Sequence, residues 1–294
     1  MRRHPVILGI GILLVIGVVF FVLVYSLGHF RGDSGTFGLQ GKVGVVQIEG
    51  VIGDITDVID QIDEFSRDDS VKAVVLRIDS PGGGVAPSQE ICRAVQELRK
   101  HKKVVASMGS VAASGGYLIA AAAERIVANQ GTLTGSISAV MYFADVEQIL
   151  KKIGVRSSVV KSGKFKDIGS PAREMTPEER QLLQGIVDDI YDQLVTTISE
   201  SRKIPLDKIK ELADGRIFSG RQAYHLKLVD ELGGLQDAVA AAAKLAGMEG
   251  KPEVVYAVRK KTGLWKYLME NMASTLSGEI RRQTGISGAQ YLMQ

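Results

Sequence analysis

From Val43 onward, short β-branched runs alternate with segments whose apolar residues recur at helical spacing. Residues 43–50, VGVVQIEG, read as a strand ending at a glycine. Apolar residues at 55, 58, 59, 62 and 65 predict a helix over 55–65. VKAVVLRI (71–78) is a second strand, followed by a helix over 88–100 that turns Ile91, Ala94, Val95 and Leu98 inward. VVAS (104–107) is a third strand and leads to a helix through 117–125. Such alternation indicates α/β architecture with a mostly parallel sheet, whose functional loops lie at the carboxyl ends of the strands. Two glycine-rich segments, 79–84 and 110–116, occupy those positions.

The second half is more helical. Thr176 caps, Pro177 fits the first turn and Glu179 completes a capping box, so a helix is predicted from there to about Ser201. Leu183, Ile186, Ile190, Leu194 and Ile198 form one stripe, to be buried against the core or a neighbouring subunit. Further helices are expected at 206–213, 220–226 and 235–246. After Gly250 a mixed basic and apolar pattern fits a helix on the body, a helix lying on a membrane, or a mobile tail. Val155 to Val160 is β-rich.

Residues 6–27 carry no charge and would span roughly 30 Å as a helix, the thickness of a bilayer's hydrocarbon core. The apolar region of a cleaved signal peptide is only about 7–15 residues long, so a transmembrane anchor is the better reading. Arg2 and Arg3 precede the run, while Arg31 and Asp33 offset each other after it. The positive-inside bias puts the N-terminus in the cytoplasm and the remainder outside it. The expected organisation is a cytoplasmic stub (1–5), an anchor (6–27), a glycine-rich linker (28–42), a catalytic body (43–250) and a tail (251–294).

Charge is nearly balanced, 36 Lys and Arg against 33 Asp and Glu, with no basic stripe of the kind nucleic-acid binding requires. The single cysteine, Cys92, excludes an internal disulfide and a thiolate-based metal site.

Two segments can carry chemistry. D-S-P-G-G-G (79–84) leaves backbone amides bare and able to form an anion-binding nest, although strand-to-helix loops are commonly glycine-rich and the pattern is not a nucleotide P-loop. In V-A-A-S-G-G-Y (111–117), small residues surround Ser114 at the entry to a helix. There a serine can be an exposed nucleophile with the Gly115 amide facing an oxyanion, or simply a helix cap. A serine nucleophile needs a base, and histidine is scarce. His4 and His29 flank the apolar run, His101 lies in a basic surface turn and His225 inside a predicted helix. A lysine can serve instead once burial disfavours its ammonium form, and Lys161, Lys164 and Lys166 are candidates. The S-x-x-K and K-T-G matches at 158–161 and 261–263 are set aside: a strand would put Ser158 and Lys161 on opposite faces, and the S-D-N element is missing.

In order along the chain, D-S-P-G-G-G (79–84), G-S-V-A-A-S-G-G-Y (109–117), T-G-S-I (134–137), K-S-G-K-F-K-D-I-G-S-P-A-R-E-M-T (161–176), D-G-R-I-F-S-G-R-Q-A (214–223) and L-V-D-E-L-G-G (228–234) stand out together. The set resembles the signal peptide peptidase A family of membrane-bound Ser-Lys peptidases, in its single-unit form, over residues 43–247. The resemblance implies a Clp-protease/crotonase-like spiral of ββα units. It implies Ser114 as nucleophile, Lys166 rather than Lys161 or Lys164 as base, and Ser136 as the serine that orients the lysine. It also implies that the Gly83 and Gly115 amides form the oxyanion hole. No cofactor or metal is implied. Substrates would be peptides near the membrane lipid, above all remnant signal peptides, with misfolded exported proteins as a further class. In that family Ser and Lys come from different subunits of a homo-oligomeric, commonly octameric, ring. Three rival readings remain: a crotonase-type enzyme acting on acyl thioesters, a related membrane peptidase that cleaves a stomatin-like partner, and a non-catalytic membrane-anchored ring scaffold.

Overall fold

The computed structural model describes residues 15, 17–21, 41–257 and 290–292. The chain divides into two units, Met1–Gln40 and Gly41–Gln294. In the first, residues 15 and 17–21 are helical and exposed; the rest of the expected span at 6–27 lies outside the described residues. Among the described residues, no helix is long and apolar enough to cross a membrane.

The second unit is built on β1 (Lys42–Glu49), β2 (Val71–Ser80) and β4 (Lys103–Ala113), paired in parallel in the order β1-β2-β4. Helix α1 (Thr56–Arg67) connects β1 to β2, and the short β3 (Gly82–Gly84) leads into α2 (Val85–Leu98), which returns the chain to β4. The three central strands read as nearly continuous apolar runs because both faces are covered. On one face Val46, Ile48, Val74, Leu76, Val104 and Ala106 pack with the apolar stripes of the connecting helices. On the other, Val43, Val45, Ala73, Val75, Val105 and Val127 meet Ala238, Val239 and Ala242 of α8 (Leu235–Leu245). The period-2 alternation of side chains sends adjacent valines to opposite cores.

Strand β4 runs well beyond the VVAS segment expected from sequence, and its two halves have different partners. Val105–Met108 pair with β5 (Arg125–Ala128), whereas Val111–Ala113 pair with β6 (Leu133–Gly135). The register between β2 and β4 slips between Ile78 and Ser80, where Ile78 faces Met108 but Ser80 faces Ala112. At this bulge β4 bends within the sheet and exchanges β5 for β6 as its neighbour, which carries its end toward the loop that follows β6. Antiparallel β7 (Ile217–Ser219) closes that side, β8 (Glu231–Leu232) adds to β5, and β9 (Glu253–Tyr256) lies parallel to β1. Residues 253–256 come from the stretch after Gly250 that the sequence leaves open.

Several expectations need adjustment. The helix expected over 88–100 begins at Val85, because the chain turns directly out of β3. The helix expected through 117–125 is α3 (Gly115–Ala121), and the remaining residues turn into β5. Val155 to Val160 is not a strand: these residues are exposed, and no neighbouring strand satisfies their backbone. They belong to a long arm between β6 and α5 (Pro177–Arg202) that contains one short helix, α4 (Glu147–Lys152). Helix α5 starts as read, with its capping box formed. Its apolar stripe is split, however: Leu194 and Ile198 are buried, while Ile186 is exposed. The body is completed by α6 (Leu206–Leu212) and α7 (Gly220–His225).

Candidate functional site

Strand β4 ends at Ala113, and the next residue, Ser114, has φ 55° and ψ −114°. A side-chain-bearing residue in such a region stores roughly 1–3 kcal/mol of strain and stays there only if its surroundings over-determine it. They do so here. The Ser114 amide donates to the Gly135 carbonyl at 2.8 Å, and the Leu118 amide donates to the Ser114 carbonyl at 2.9 Å. Ala112 and Ala113 pair with Thr134 and Gly135. Thr134 Oγ1 donates to the Ala112 carbonyl at 2.6 Å, and Thr132 Oγ1 to the Gly109 carbonyl at 2.8 Å. A Cβ at Gly116 would lie 2.9 Å from the Ser80 carbonyl oxygen, so a glycine is needed for α3 to start this close to the 79–84 loop.

Ser114 occupies the N-cap position of α3 but makes no side-chain capping bond. Its Oγ is buried and, among the described residues, has no hydrogen-bond partner. Leaving a buried hydroxyl unpaired costs about 1–3 kcal/mol. Strain and an unpaired hydroxyl at one residue serve no structural purpose, and the cap reading is not supported. The amide of Gly115, the first residue of α3, has no partner within the helix.

Ser136 is the neighbour of Ser114 across the β4–β6 pair. It too has a left-handed φ, 49°, and is nearly buried. Its amide donates to the Arg216 carbonyl at 2.8 Å, which ties the T-G-S-I turn to β7. On the other side, β3 packs beside α3. The Ile52 amide donates to the Gly82 carbonyl at 2.9 Å, and the Gly84 amide donates to the Ile52 carbonyl at 2.8 Å. Backbone groups of successive strand residues point to opposite edges, so the N–H and C=O of Gly83 face away from Ile52. A side chain at Gly83 would run into the Ile52 backbone. Close approach is therefore what demands glycine at 83, whereas Gly82 supplies the positive φ, 101°.

Sequence reasoning missed the two residues that hold this loop. Asp79 Oδ1 accepts from the Val111 amide at 3.0 Å and so pins the β4 bulge. Ser80 Oγ accepts from the Gly82 amide at 3.1 Å. Their position just before Pro-Gly was the available signal, since Asp and Ser side chains there bond to nearby backbone.

The lysines lie on the arm. Lys161 is paired with Asp167 and also donates to the Lys164 carbonyl at 2.8 Å; Lys164 is paired with Glu178. Lys166 is exposed, and among the described residues its ammonium has no ion-pair or hydrogen-bond partner. Within the chain it does not reach Ser114 Oγ. A charge network fastens the arm around it. Arg173 bonds Asp167 through Nε at 2.9 Å and Glu179 through both terminal nitrogens, at 2.8 and 2.5 Å. Hydrogen bonds from Arg173 hold the Glu179 carboxyl down at about 2, with help from the Thr176 amide. Arg173, followed by Lys161, holds Asp167 well below the usual carboxylate range.

The other nucleophile and base candidates do not converge on Ser114. His101 and His225 are exposed, and His225 stacks edge-on against Tyr224. His4 and His29 lie outside the described residues. Burial pushes the Cys92 thiol up to about 11, which disfavours the reactive thiolate. Among the described residues, no group of three or more His, Cys, Asp or Glu side chains could hold a metal ion. The structure thus brings Ser114, Gly115 and Ser136 together, sets the Gly83 strand beside them, and leaves Lys166 apart.

Two family models match this chain: Clp protease over residues 45–134 and peptidase family S49 over residues 96–249. A candidate protease of Synechocystis is 49% identical over 177 residues, covering 60% of this chain and 64% of that protein. A candidate protease of Methanocaldococcus jannaschii is 38% identical over 202 residues, covering 69% and 65%. A candidate signal peptide peptidase SppA of Enterococcus faecium is 37% identical over 177 residues, covering 60% and 52%. The chain therefore spans less than two thirds of each of these relatives. The mixed α/β body with its parallel sheet carries a Clp-protease-like domain, and the chain belongs to peptidase family S49.

Proposed function

We propose that this protein is a membrane-anchored serine endopeptidase with Ser114 as nucleophile and Lys166 as general base. The observation that carries the reading is the buried, strained Ser114, whose Oγ has no partner among the described residues. In the proposed cycle Lys166, neutral, takes the Ser114 proton as Oγ attacks a peptide carbonyl. The amides of Gly83 and Gly115 stabilise the oxyanion, and Lys166 returns the proton to the leaving amine. Water then hydrolyses the acyl-enzyme. Ser136, beside the nucleophile, orients the lysine.

Lys166 is favoured over its neighbours because Lys161 and Lys164 are engaged in ion pairs. It is exposed in a single chain, and in the proposed enzyme a second copy buries it against Ser114. The arm is suited to that packing. Tyr142, Phe143, Ile149, Ile153 and Val160 are exposed on it, and Ile186 is exposed on the adjoining part of α5. Apolar surface of this kind favours association. A ring, octameric in the form expected from the family resemblance, would place Ser114 of one subunit against Lys166 of the next.

The name of the Enterococcus relative and the uncharged run at 6–27 together favour signal peptides left in or near the membrane as substrates. The experiment is cleavage of a synthetic signal peptide by the detergent-solubilised full chain. Activity should disappear in Ser114→Ala and in Lys166→Ala and persist in His225→Ala. Cleavage that survives Ser114→Ala would refute the nucleophile.

A further inference from the structure

Strand β9 ends the sheet: it pairs with β1, and among the described residues no strand takes its other edge. The Ala257 amide donates to the Val45 carbonyl at 3.4 Å. Alternation therefore turns the N–H and C=O of Val255 toward β1 and those of Val254 and Tyr256 outward. Val254 and Tyr256 also share a face, the one covered by α8. Val254 lines a cavity of about 550 Å³ together with Val239, Ala240, Ala243, Met248 and Pro252, and Tyr256 is half exposed. An edge that presents free amides and carbonyls beside apolar surface is a template for another strand.

The strand that fits is a second β9. In antiparallel approach with Val255 opposite Val255, Val254 of each chain faces Tyr256 of the other and exchanges both main-chain bonds with it. Directly opposed side chains lie on one face, so each Tyr256 ring comes over the other copy's cavity beside Val254. The charges have the same sense. Glu249 and Glu253, against Lys251, lead into β9, and Arg259, Lys260 and Lys261 follow it in the sequence. Antiparallel approach sets the acidic side of one copy toward the basic side of the other, whereas parallel approach sets like charges together.

We infer that β9 is a self-pairing edge through which two copies of this chain associate about a two-fold axis at Val255. The edge lies at the opposite end of the sheet from β6 and β7, where the arm leaves the body. The contact is therefore distinct from the head-to-tail contact of the proposed ring, and it does not depend on the roles of Ser114 and Lys166. An isologous contact joins chains in pairs and does not propagate. A strand of four residues makes a small contact, so the pairing is best trapped covalently.

The test uses the full chain in detergent with Cys92→Ala, which removes its single native thiol. On mild oxidation Val255→Cys should cross-link to a dimer, because opposed residues of a non-hydrogen-bonded antiparallel pair lie about 4.5 Å apart at Cα, within disulfide reach. Glu253→Cys should cross-link at least about tenfold more slowly, since its counterpart in the other copy is displaced by about 14 Å along the strand. A mixture of Val254→Cys and Tyr256→Cys chains should give the mixed dimer in preference to either homodimer, and this pair leaves Val255 in place. Adding Tyr256→Asp to Val255→Cys should slow the cross-link several-fold by setting a carboxylate against the apolar cavity. Equal rates at 253 and 255, or no dimer from either Val255→Cys or the mixture, overturns the proposal.

Discussion

The backbone amide of Ser114 donates to the carbonyl of Gly135, the residue before Ser136, so two serines with left-handed φ leave a pair of parallel strands side by side. Neither conformation is a local preference of serine. Each is imposed by the β4–β6 pairing, and the side chains are thereby aimed by backbone that cannot relax independently.

That strain makes stability and activity separable. Ser114→Gly should remove the cost of a Cβ at φ 55° and raise stability by about 1 kcal/mol while abolishing acylation. Ser114→Ala keeps the Cβ and should gain less from the backbone. Denaturant unfolding of the two variants beside the wild type measures the difference. A glycine variant less stable than the alanine variant would mean that the site is not strained.

Thr134 offers a way to disturb Ser114 without touching it. Thr134→Val keeps the shape but deprives the buried Ala112 carbonyl of its 2.6 Å bond. The expected loss is about 1–2 kcal/mol of stability. The Ser114 labelling rate should fall as well, because the end of β4 loses its anchor. Thr132→Val, whose bond reaches back to Gly109, should cost similar stability with a smaller effect on labelling.

The parts of this site differ in how legible they were in the sequence. The strands at 43–50 and 71–78 and the start of α5 could be read because valine runs and a capping box are local signals. Strands β5 to β8 are short and make sense only beside β4 or beside one another, so no period of their own marks them. The β-branched run at 155–160 misled in the opposite direction, since propensity without a partner strand does not make a sheet. Ser114 was visible but ambiguous between cap and nucleophile. What counts against the cap is its φ and an Oγ that has no partner among the described residues, and neither is encoded in a local pattern.

The three arm lysines should differ in effect. Lys166→Ala should stop peptide cleavage, whereas Lys161→Ala and Lys164→Ala, each losing a surface ion pair, should leave most of it. Mixing Ser114→Ala chains with Lys166→Ala chains should restore about a quarter of the sites if each site draws on two neighbouring subunits of a ring. No recovery after co-assembly would place Ser and Lys in the same subunit.

Acid should loosen the arm. Glu179 has its carboxyl held at about 2 by Arg173, against an ordinary value of 4.5, and Asp167 is depressed as well. A depressed carboxyl stabilises the fold above its unfolded value and loses that contribution as pH falls through its folded value. Protease sensitivity within 161–179 should therefore rise as pH drops from about 4.5 toward 2. Arg173→Met should show the same sensitivity already at neutral pH. An arm equally protected in both proteins at neutral pH would show that the network does not hold it.

The most direct measurement is the site and rate of covalent labelling by a fluorophosphonate, read by peptide mass on the full chain. A single adduct on Ser114 is expected, formed at least about a hundredfold more slowly in Lys166→Ala and at the wild-type rate in His225→Ala, since removing a general base typically costs that much or more. An adduct on any other residue, or wild-type labelling of Ser114 in Lys166→Ala, would contradict it.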